Sequence, residues 1–444
     1  MRAMPDVPTG ATSPLVVMKF GGSSVADADR IRRVAQRIAR ERARGSDLVV
    51  VVSAMGDTTD ELLALAHAIT DEPDPRELDM LLGTGEHQSA TLVSMALHAL
   101  GVDAISLTGA QAGISTDGRH GKARIAGIDP RRVRGEIAAG RVVIVAGFQG
   151  IARTSTPVEG EGGEGAIPSE TAADVAELTT LGRGGSDTTA VALAARLGAD
   201  RCQIYTADPR LVPDARQLPV IGYEEMLELA YQGAQIMNVR AVELGWVNGV
   251  VIEVLSSFED APGTLIKEDP LVEQRNKVRG IAHDRNVAKV TLVGVPDRPG
   301  VARSVFQPLA DATINVDMIV QNVGHGGSTD LSFTVPKVEL AKAKRILEPI
   351  VRELGFREIT TDSSVAKVSI VGAGIQNAPG YAARMFGALA DAGVNIEMIS
   401  TSEVRITTIV AEDDVETAVR ALHEAFSLET PDPVDASAAV AAPS

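Results

Sequence analysis

Cysteine is nearly absent from the 444-residue chain, and Cys202 is its single one. One thiol excludes an internal disulfide framework and argues against a thiolate metal site, which leaves Cys202 as a small buried residue beside a strand. Also missing is any run of about 18 apolar residues, the length a membrane-crossing helix needs. Met1 to Pro14 carries no apolar signal core, so the expectation is a soluble, cytoplasmic protein with no membrane partner. Basic excess is lacking as well. A formal charge of −17 excludes wrapping a nucleic-acid backbone or an anionic membrane, although a locally basic pocket can still hold an anion. The 7 histidines form no spaced ligand set, no residue is assigned to a metal, and His87 and His120 read as surface or satisfied histidines. No Gly-x-x-x-x-Gly-Lys-Ser/Thr run occurs, which argues against a P-loop kinase.

What is present is 45% hydrophobic residues with only 3% aromatics, and 42 glycines. That mixture fits Val/Ile/Leu strands, Ala-rich helices and many tight connections, the α/β class. Leu15 to Lys19 and Asp47 to Ser53 read as buried strands, with a helix over Arg30 to Arg44 between them. The alternation continues with a helix over Gln88–Leu100, strands at Ala104–Thr108 and Val142–Ala146, a helix over Asp187–Leu197 and a strand at Arg201–Tyr205. A helix over Tyr223–Leu229 and a strand at Val250–Leu255 follow. Strands separated by helices predict parallel crossovers, with binding loops at the carboxyl ends of the strands.

After Ile266 a charged stretch leads into a segment that repeats itself. Val290-Thr-Leu-Val-Gly is answered by Val368-Ser-Ile-Val-Gly, Pro299-Gly300 by Pro379-Gly380, and Ile314-Asn-Val-Asp-Met-Ile by Val394-Asn-Ile-Glu-Met-Ile, at a constant offset of 80 residues from the Pro-Gly pair onward. Each copy reads strand, Pro-Gly loop, helix, strand, strand, helix, strand, the ferredoxin-like βαββαβ order. The expected organisation is a disordered 1–14, a catalytic domain over 15–266, a linker over 267–280, repeat copies over 281–362 and 363–429, and a disordered tail over 430–444.

Four loops can do chemistry. In Lys19-Phe-Gly-Gly-Ser-Ser24, the end of a strand meets two glycines and a helix start, so backbone N–H groups and the Lys19 ammonium can cradle phosphate. Ser53-Ala-Met-Gly-Asp-Thr-Thr59 offers hydroxyls and amides to a carboxylate, or caps a helix. Gly83-Thr-Gly-Glu86 places a carboxylate just ahead of a helix, either for a substrate ammonium or as a cap. Thr179-Thr-Leu-Gly-Arg-Gly-Gly-Ser-Asp-Thr-Thr189 is the most informative: Arg183 can clamp a carboxylate, Ser186 can hydrogen-bond it, and Asp187 can orient Lys19. By contrast, Gly160-Glu-Gly-Gly-Glu-Gly165 matches a dinucleotide fingerprint in form only, since two glutamates would repel a pyrophosphate.

Taken in order, these motifs resemble the aspartate kinase branch of the amino acid kinase family, and the match extends to Leu107-Thr-Gly-Ala-Gln-Ala-Gly-Ile, Thr206-Ala-Asp-Pro-Arg210 and Ser256-Ser-Phe-x-x-x-Pro-Gly-Thr. The repeats resemble paired ACT domains. The resemblance implies an αβα sandwich with a mainly parallel sheet, followed by two ferredoxin-like ACT domains, and an enzyme that phosphorylates L-aspartate with ATP and Mg²⁺. It implies Lys19 and Asp187 as catalytic residues, and Ser53, Thr59, Glu86, Arg183 and Ser186 as aspartate holders. Lys19, Phe20, Gly21, Gly22, Tyr205, Thr206, Asp208, Pro209 and Arg210 would lie at the nucleotide. Lysine, threonine or both would bind at Asp297, Pro299, Gly300, Ala302, Asn315, Asp317, Gln321 and Thr329, with Asn395 and Ile396 of the second copy. Homo- or hetero-oligomers would form through the ACT domains.

The sequence also departs from the family pattern. About seven residues that the family carries between its Ile-Tyr strand and Thr-Ala-Asp-Pro-Arg are missing at Tyr205–Thr206, and 151–177 is longer and richer in Glu and Gly. Met237-Asn-Val-Arg240 replaces a His/Gln-Pro-Arg type, and Leu255-Ser-Ser lacks a preceding arginine. Two alternatives therefore stand beside the reading: another amino acid kinase, and an amino-acid sensor that has lost catalysis. The repeats could likewise serve as a dimerisation platform alone.

Overall fold

The computed structural model describes residues 13–155, 174–207, 210–268, 278–321, 327–373, 375 and 379–430. The Gly160–Gly165 run, Asp208, Pro209 and most of both expected disordered ends lie outside these residues. By its contacts the chain divides into two units: one runs to Asp208 and resumes at Pro219–Tyr223 and Ile236–Glu268, and the other takes Pro209–Leu218, Glu224–Gln235 and all from Asp269.

The first unit opens with β1 (Leu15–Phe20), α1 (Ala28–Ala43), β2 (Asp47–Val52), α2 (Thr58–Ile69), α3 (Pro75–Ala99) and β3 (Ala104–Leu107). It continues with β4 (Ile114–Thr116), β5 (Ile125–Ile128), α4 (Arg131–Ala138), β6 (Val142–Ala146), β7 (Gln149–Ser155), β8 (Asp174–Thr180), α5 (Gly185–Leu197), β9 (Arg201–Thr206) and β10 (Val220–Ile221). After α6 (Tyr223–Tyr231), which apart from Tyr223 belongs to the second unit, the first unit resumes with α7 (Val239–Asn248), β11 (Ile252–Ser256) and β12 (Thr264–Ile266).

Eight strands form one sheet in the order β10-β12-β11-β9-β1-β2-β6-β3, parallel except where β12 runs against β11. Apolar residues fill both faces of its centre, as buried parallel strands require. On one face Val16, Met18, Phe20, Leu48, Val50, Val52 and Ile144 join Ile31, Val34 and Ile38 of α1 and Val93 and Leu97 of α3 in one core. Helices α5 and α7 pack together on the other face, completing an αβα sandwich. The registers Lys19↔Val51, Lys19↔Ile204 and Val52↔Ala146 align the carboxyl ends of β1, β2, β6 and β9 on one edge. The loops after those strands are therefore neighbours although up to 185 residues separate them. A second sheet, β5-β4-β7-β8, delivers Thr180 to the same edge.

In the second unit, β13 (Gly280–Asp284) and β14 (Val287–Pro296) precede α8 (Val301–Asp311), β15 (Asp317–Gln321), β16 (Ser328–Pro336), α9 (Leu340–Leu354) and β17 (Glu358–Asp362). The second copy supplies β18 (Val365–Val371), α10 (Tyr381–Asp391), β19 (Met398–Ser402), β20 (Arg405–Ala411) and α11 (Val415–Ala425). The first copy's sheet is β15-β16-β14-β17, in the anticipated ferredoxin-like order.

The second copy's sheet is β13-β18-β20-β19, which corrects the boundary expected at 281. Its fourth strand comes from ahead of the first copy, with Gly280↔Val371 through Asp284↔Lys367 antiparallel. The edge of β18 needs a partner for its N–H and C=O groups, and β13 provides it from residues that, apart from Gly280, were expected in the first copy. Leu211 and Val212, expected within the catalytic domain, pack against this copy's core. The repeat is visible in side chains too. Met318 and Met398, at equivalent positions, share one small core, and Lys367 pairs with Asp317 at 3.0 Å while the equivalent Lys289 pairs with Glu397.

Candidate functional site

Alternation along β1 decides the site. Met18 and Phe20 face the core under α1 and α3, so Lys19 points to the other face, where α5 begins. There its Nζ lies 2.7 Å from Asp187 Oδ1, with both side chains about nine-tenths buried (12% and 11% exposed). Asp187 sits in the first turn of α5, where the helix dipole favours a carboxylate. Ser186 beside it is buried, and its Oγ lies 2.8 Å from where a Cβ on Gly147 would stand, so only glycine fits after β6 at that point.

Beneath Lys19 the Gly21-Gly22 turn is closed in by backbone. A Cβ on Gly22 would come within 2.9 Å of both Ala54 O and Gly56 O, and one on Gly21 within 3.3 Å of Lys19 Nζ. The Gly56 N–H donates to Gly22 O at 3.0 Å, and Ser24 Oγ meets Ser257 Oγ at 2.7 Å. The first loop is thus tied to the second and to the Ser256-Ser257 loop after β11. Such a bare-backbone cradle beside an ammonium suits a phosphate chain.

The third motif changes its reading. Gly83-Thr-Gly-Glu86 is not a loop ahead of a helix; it lies inside α3, which starts eight residues earlier than Gly83 because Asp74 caps it and Pro75 takes the first position. Gly85 allows the helix to touch the second loop, since a Cβ there would be 2.8 Å from Ala54 Cβ. Glu86 is 3% exposed, its Oε1 accepts the Ala54 N–H at 3.1 Å, and Oε2 has no hydrogen-bond partner. Burial pushes the Glu86 carboxyl up to about 7, with the Ala54 N–H pulling the other way. A buried carboxylate with a free oxygen is ready for a cationic ligand.

The fourth loop runs from β8 into α5. Gly184, at φ 73°, caps the helix, and a Cβ there would fall 2.2 Å from Asn238 Nδ2. Arg183 is mostly exposed and its Nη2 donates to Asp60 Oδ1 of α2 at 2.5 Å. The carboxyl edge of the first sheet thus carries an ammonium and a glycine cradle, α3 contributes a buried carboxylate, and the loop after β8 of the second sheet contributes an arginine fork.

The model of the amino acid kinase family matches residues 14–252, and that of the ACT domain matches 290–349 and 368–426. The chain is 48% identical over 426 residues to the aspartokinase of Mycolicibacterium smegmatis, a match covering 93% of this chain and 96% of that protein. The chain belongs to the aspartate kinase branch of the amino acid kinase family. It also resembles the crystal structure of E. coli aspartokinase III in complex with aspartate and ADP, with a TM-score of 0.74, 25% identity, and coverage of 93% of this chain and 99% of that one. The same enzyme with lysine and aspartate matches with a TM-score of 0.67 at 25% identity over the same shares.

Within this kinase domain, Lys19, Gly21, Gly22 and Ser53 are placed by the loops that the parallel registers bring to one edge, Glu86 by the interior of α3, and Ser186 and Asp187 by the first turn of α5 after β8, with Arg183 just ahead of that helix. Thr59 lies in the first turn of α2. Phe20 and Tyr205 do not point at the cradle: they stack on each other at 4.6 Å in the core, with the Arg37 guanidinium 4.9 Å above the Tyr205 ring. Only the backbone of Tyr205 approaches, its O lying 3.8 Å from a Cβ built on Gly21. Thr206 closes β9, its O accepting from Ser257 N at 2.9 Å. Arg210 belongs to the other unit, where it reaches the carbonyls of Pro213 and Ala215 at 3.5 and 3.4 Å. Cys202 is fully buried, and burial raises its thiol pKa.

The effector residues separate into groups. Asp297, Pro299, Gly300, Ala302 and Gln321 line one cavity of about 390 Å³ on the first copy. Asn315 and Asp317 line a different one of about 350 Å³. Burial pushes the Asp317 carboxyl up, but the Lys367 ammonium, the Met318 N–H and the Arg405 charge together leave it below its ordinary value. Thr329 is buried in β16, whereas Asn395 is exposed just ahead of β19. The sequence reading missed Gly147, Asp60, Asn238 and Arg240. The Met237-Asn-Val-Arg240 departure was the available signal for the last two.

Proposed function

We propose that the kinase domain transfers the γ-phosphoryl group of ATP to the side-chain carboxylate of L-aspartate, giving ADP and 4-phospho-L-aspartate. This is the entry step to lysine, threonine and methionine biosynthesis, carried out in the cytoplasm. The observation that carries the reading is the Lys19–Asp187 pair standing over a glycine cradle while Glu86 presents an unpartnered buried oxygen.

A carboxylate oxygen of aspartate attacks phosphorus in line as the bond to the β,γ-bridging oxygen breaks. The nucleophile carries no proton, so alignment and charge neutralisation suffice. Lys19 follows the charge from the γ- to the β-phosphate oxygens, and Asp187 keeps its ammonium aimed. Glu86 receives the substrate ammonium; Arg183, Ser186, Ser53 and Thr59 hold its carboxylates. Gly21 and Gly22, with the backbone of Tyr205 and Thr206 beside them, form the nucleotide side. The bare amides of the Gly21-Gly22 turn and the Lys19 charge fit an Mg²⁺-nucleotide, whose metal would neutralise phosphate charge. Lysine, threonine or both bind the Pro-Gly cavity of the first ACT copy and, with Asn395 and Ile396 of a second copy, regulate activity through homo- or hetero-oligomers. An effector does so by binding the low-activity arrangement more tightly.

The test is trapping of the acyl phosphate by hydroxylamine with ATP, Mg²⁺ and aspartate. Hydroxamate is expected from the unaltered chain and near-background product from Lys19→Ala. Equal, background-level product from both supports the second reading, a sensor without catalysis, which the shortened Tyr205–Thr206 junction favours.

A further inference from the structure

Glu86 is not the only buried carboxylate on α3. Asp79 is 1% exposed, lies seven residues earlier on the same helical face, and is used by none of the steps above. Two helical turns separate the pair, about 10 Å along the axis. Every contact of Asp79 leads to the edge of the site. It accepts from His120 Nδ1 at 2.8 Å, from the Gly121 N–H at 3.1 Å through each oxygen, and from the Thr180 hydroxyl.

Thr180 is the last residue of β8, three positions before Arg183. From there each carbonyl of the loop is held. Thr180 O accepts from Ala123 N at 2.9 Å, Leu181 O from Arg240 Nη1 at 2.8 Å, Gly182 O from Gly185 N at 2.9 Å and Arg183 O from Asn238 Nδ2 at 3.0 Å. Arg240 Nη2 also reaches Ala123 O at 2.9 Å, so the 120–123 segment that Asp79 fixes is tied back to the same loop. A buried charge with four hydrogen bonds makes a stiff joint, because moving any donor leaves the carboxylate unsatisfied.

We propose that Asp79 is a positioning residue for aspartate: by joining Thr180 and the His120-Gly121 segment to α3, it fixes the span between Glu86 and the Arg183–Ser186 loop. One rigid helix thereby gauges the distance between the group that holds the substrate ammonium and the groups that hold its carboxylates. The inference rests on the aspartate-binding roles given above. It concerns binding of the amino acid and not of the nucleotide, so the two KM values separate it from a general loss of structure.

The experiment compares Asp79→Asn, Thr180→Val and Thr180→Ser in the full chain, with Leu97→Ala as a control that destabilises α3 away from the loop. KM for aspartate is expected to rise about tenfold in Asp79→Asn and Thr180→Val, with KM for ATP within twofold. Thr180→Ser, which keeps the hydroxyl, and Leu97→Ala are expected within threefold of the parent for both substrates. An aspartate KM that rises less than threefold in Thr180→Val, equal effects of Val and Ser, or a parallel rise in both KM values would overturn the proposal. Should Asp79→Asn not fold, the Thr180 pair decides alone. If the unaltered chain makes no hydroxamate, the substrate reading has failed instead.

Discussion

Lys19 and Asp187 are 168 positions apart, and each sits in a motif of its own. An aspartate opening a helix after Arg-Gly-Gly-Ser is unusual enough to stand out alone. A lysine before two glycines is weak evidence by itself, since Gly-Gly after a strand is often only a tight turn, and it gains its meaning from the other motifs. What no motif states is the environment of Glu86. Its carboxyl, raised by burial from about 4.5 to about 7, binds its proton more tightly folded than unfolded. That contribution to stability is complete below about pH 4.5 and is lost as pH rises to about 7, beyond which the charged, buried form persists at a cost. Glu86→Gln is therefore expected to be more stable than the parent above pH 7, by up to about 3 kcal/mol, in denaturant titrations at pH 5 and pH 8. It should bind aspartate more weakly, and the rise of kcat/KM for aspartate with pH through about 7 should flatten. An unchanged pH profile would remove Glu86 from the ammonium site.

Helix α3 is the element most misjudged by local pattern. Gly83 and Gly85 each cost about 1 kcal/mol against alanine in a helix, and the helix expected from local pattern begins only at Gln88. Contacts outweigh that cost. Gly85 lets the helix press on Ala54, and Gly83 lies against Leu178, where a Cβ would be 3.2 Å from Cδ2. Gly135 of α4 is the contrasting case, because a Cβ there meets nothing within 4 Å. Gly135→Ala is expected to raise Tm by a few degrees through propensity alone. Gly85→Ala should lower Tm and raise KM for aspartate, since the second loop must move. Thermal melts of the two variants side by side decide the matter, and a stabilised Gly85→Ala would contradict the packing.

For the molecule as a whole, the sequence repeat announced two copies of one module but not how the chain distributes their strands. Residues 281–284 were expected in the first copy, directly after the linker over 267–280. Their partner is β18, reached only after the entire first copy has been threaded between them. A regulatory role for these copies predicts that lysine or threonine raises the melting temperature of the second unit by calorimetry. At a hundred times its dissociation constant, a ligand adds about 2.7 kcal/mol. Asp297→Ala should abolish the shift. If neither amino acid shifts the melt at millimolar concentration, the effector assignment falls.

Sequence alone determined the alternation of strands and helices, the repeated module and the motifs that carry charge to the site, because strand alternation, glycine loops and a repeat of fixed spacing are local properties. Tertiary structure decided which strand completes which sheet, that Glu86 and Asp79 ride a single helix, and that Phe20 and Tyr205 belong to the core. Those outcomes depend on burial and on satisfying buried hydrogen-bonding groups across long separations, and neither is written in any window of neighbouring residues.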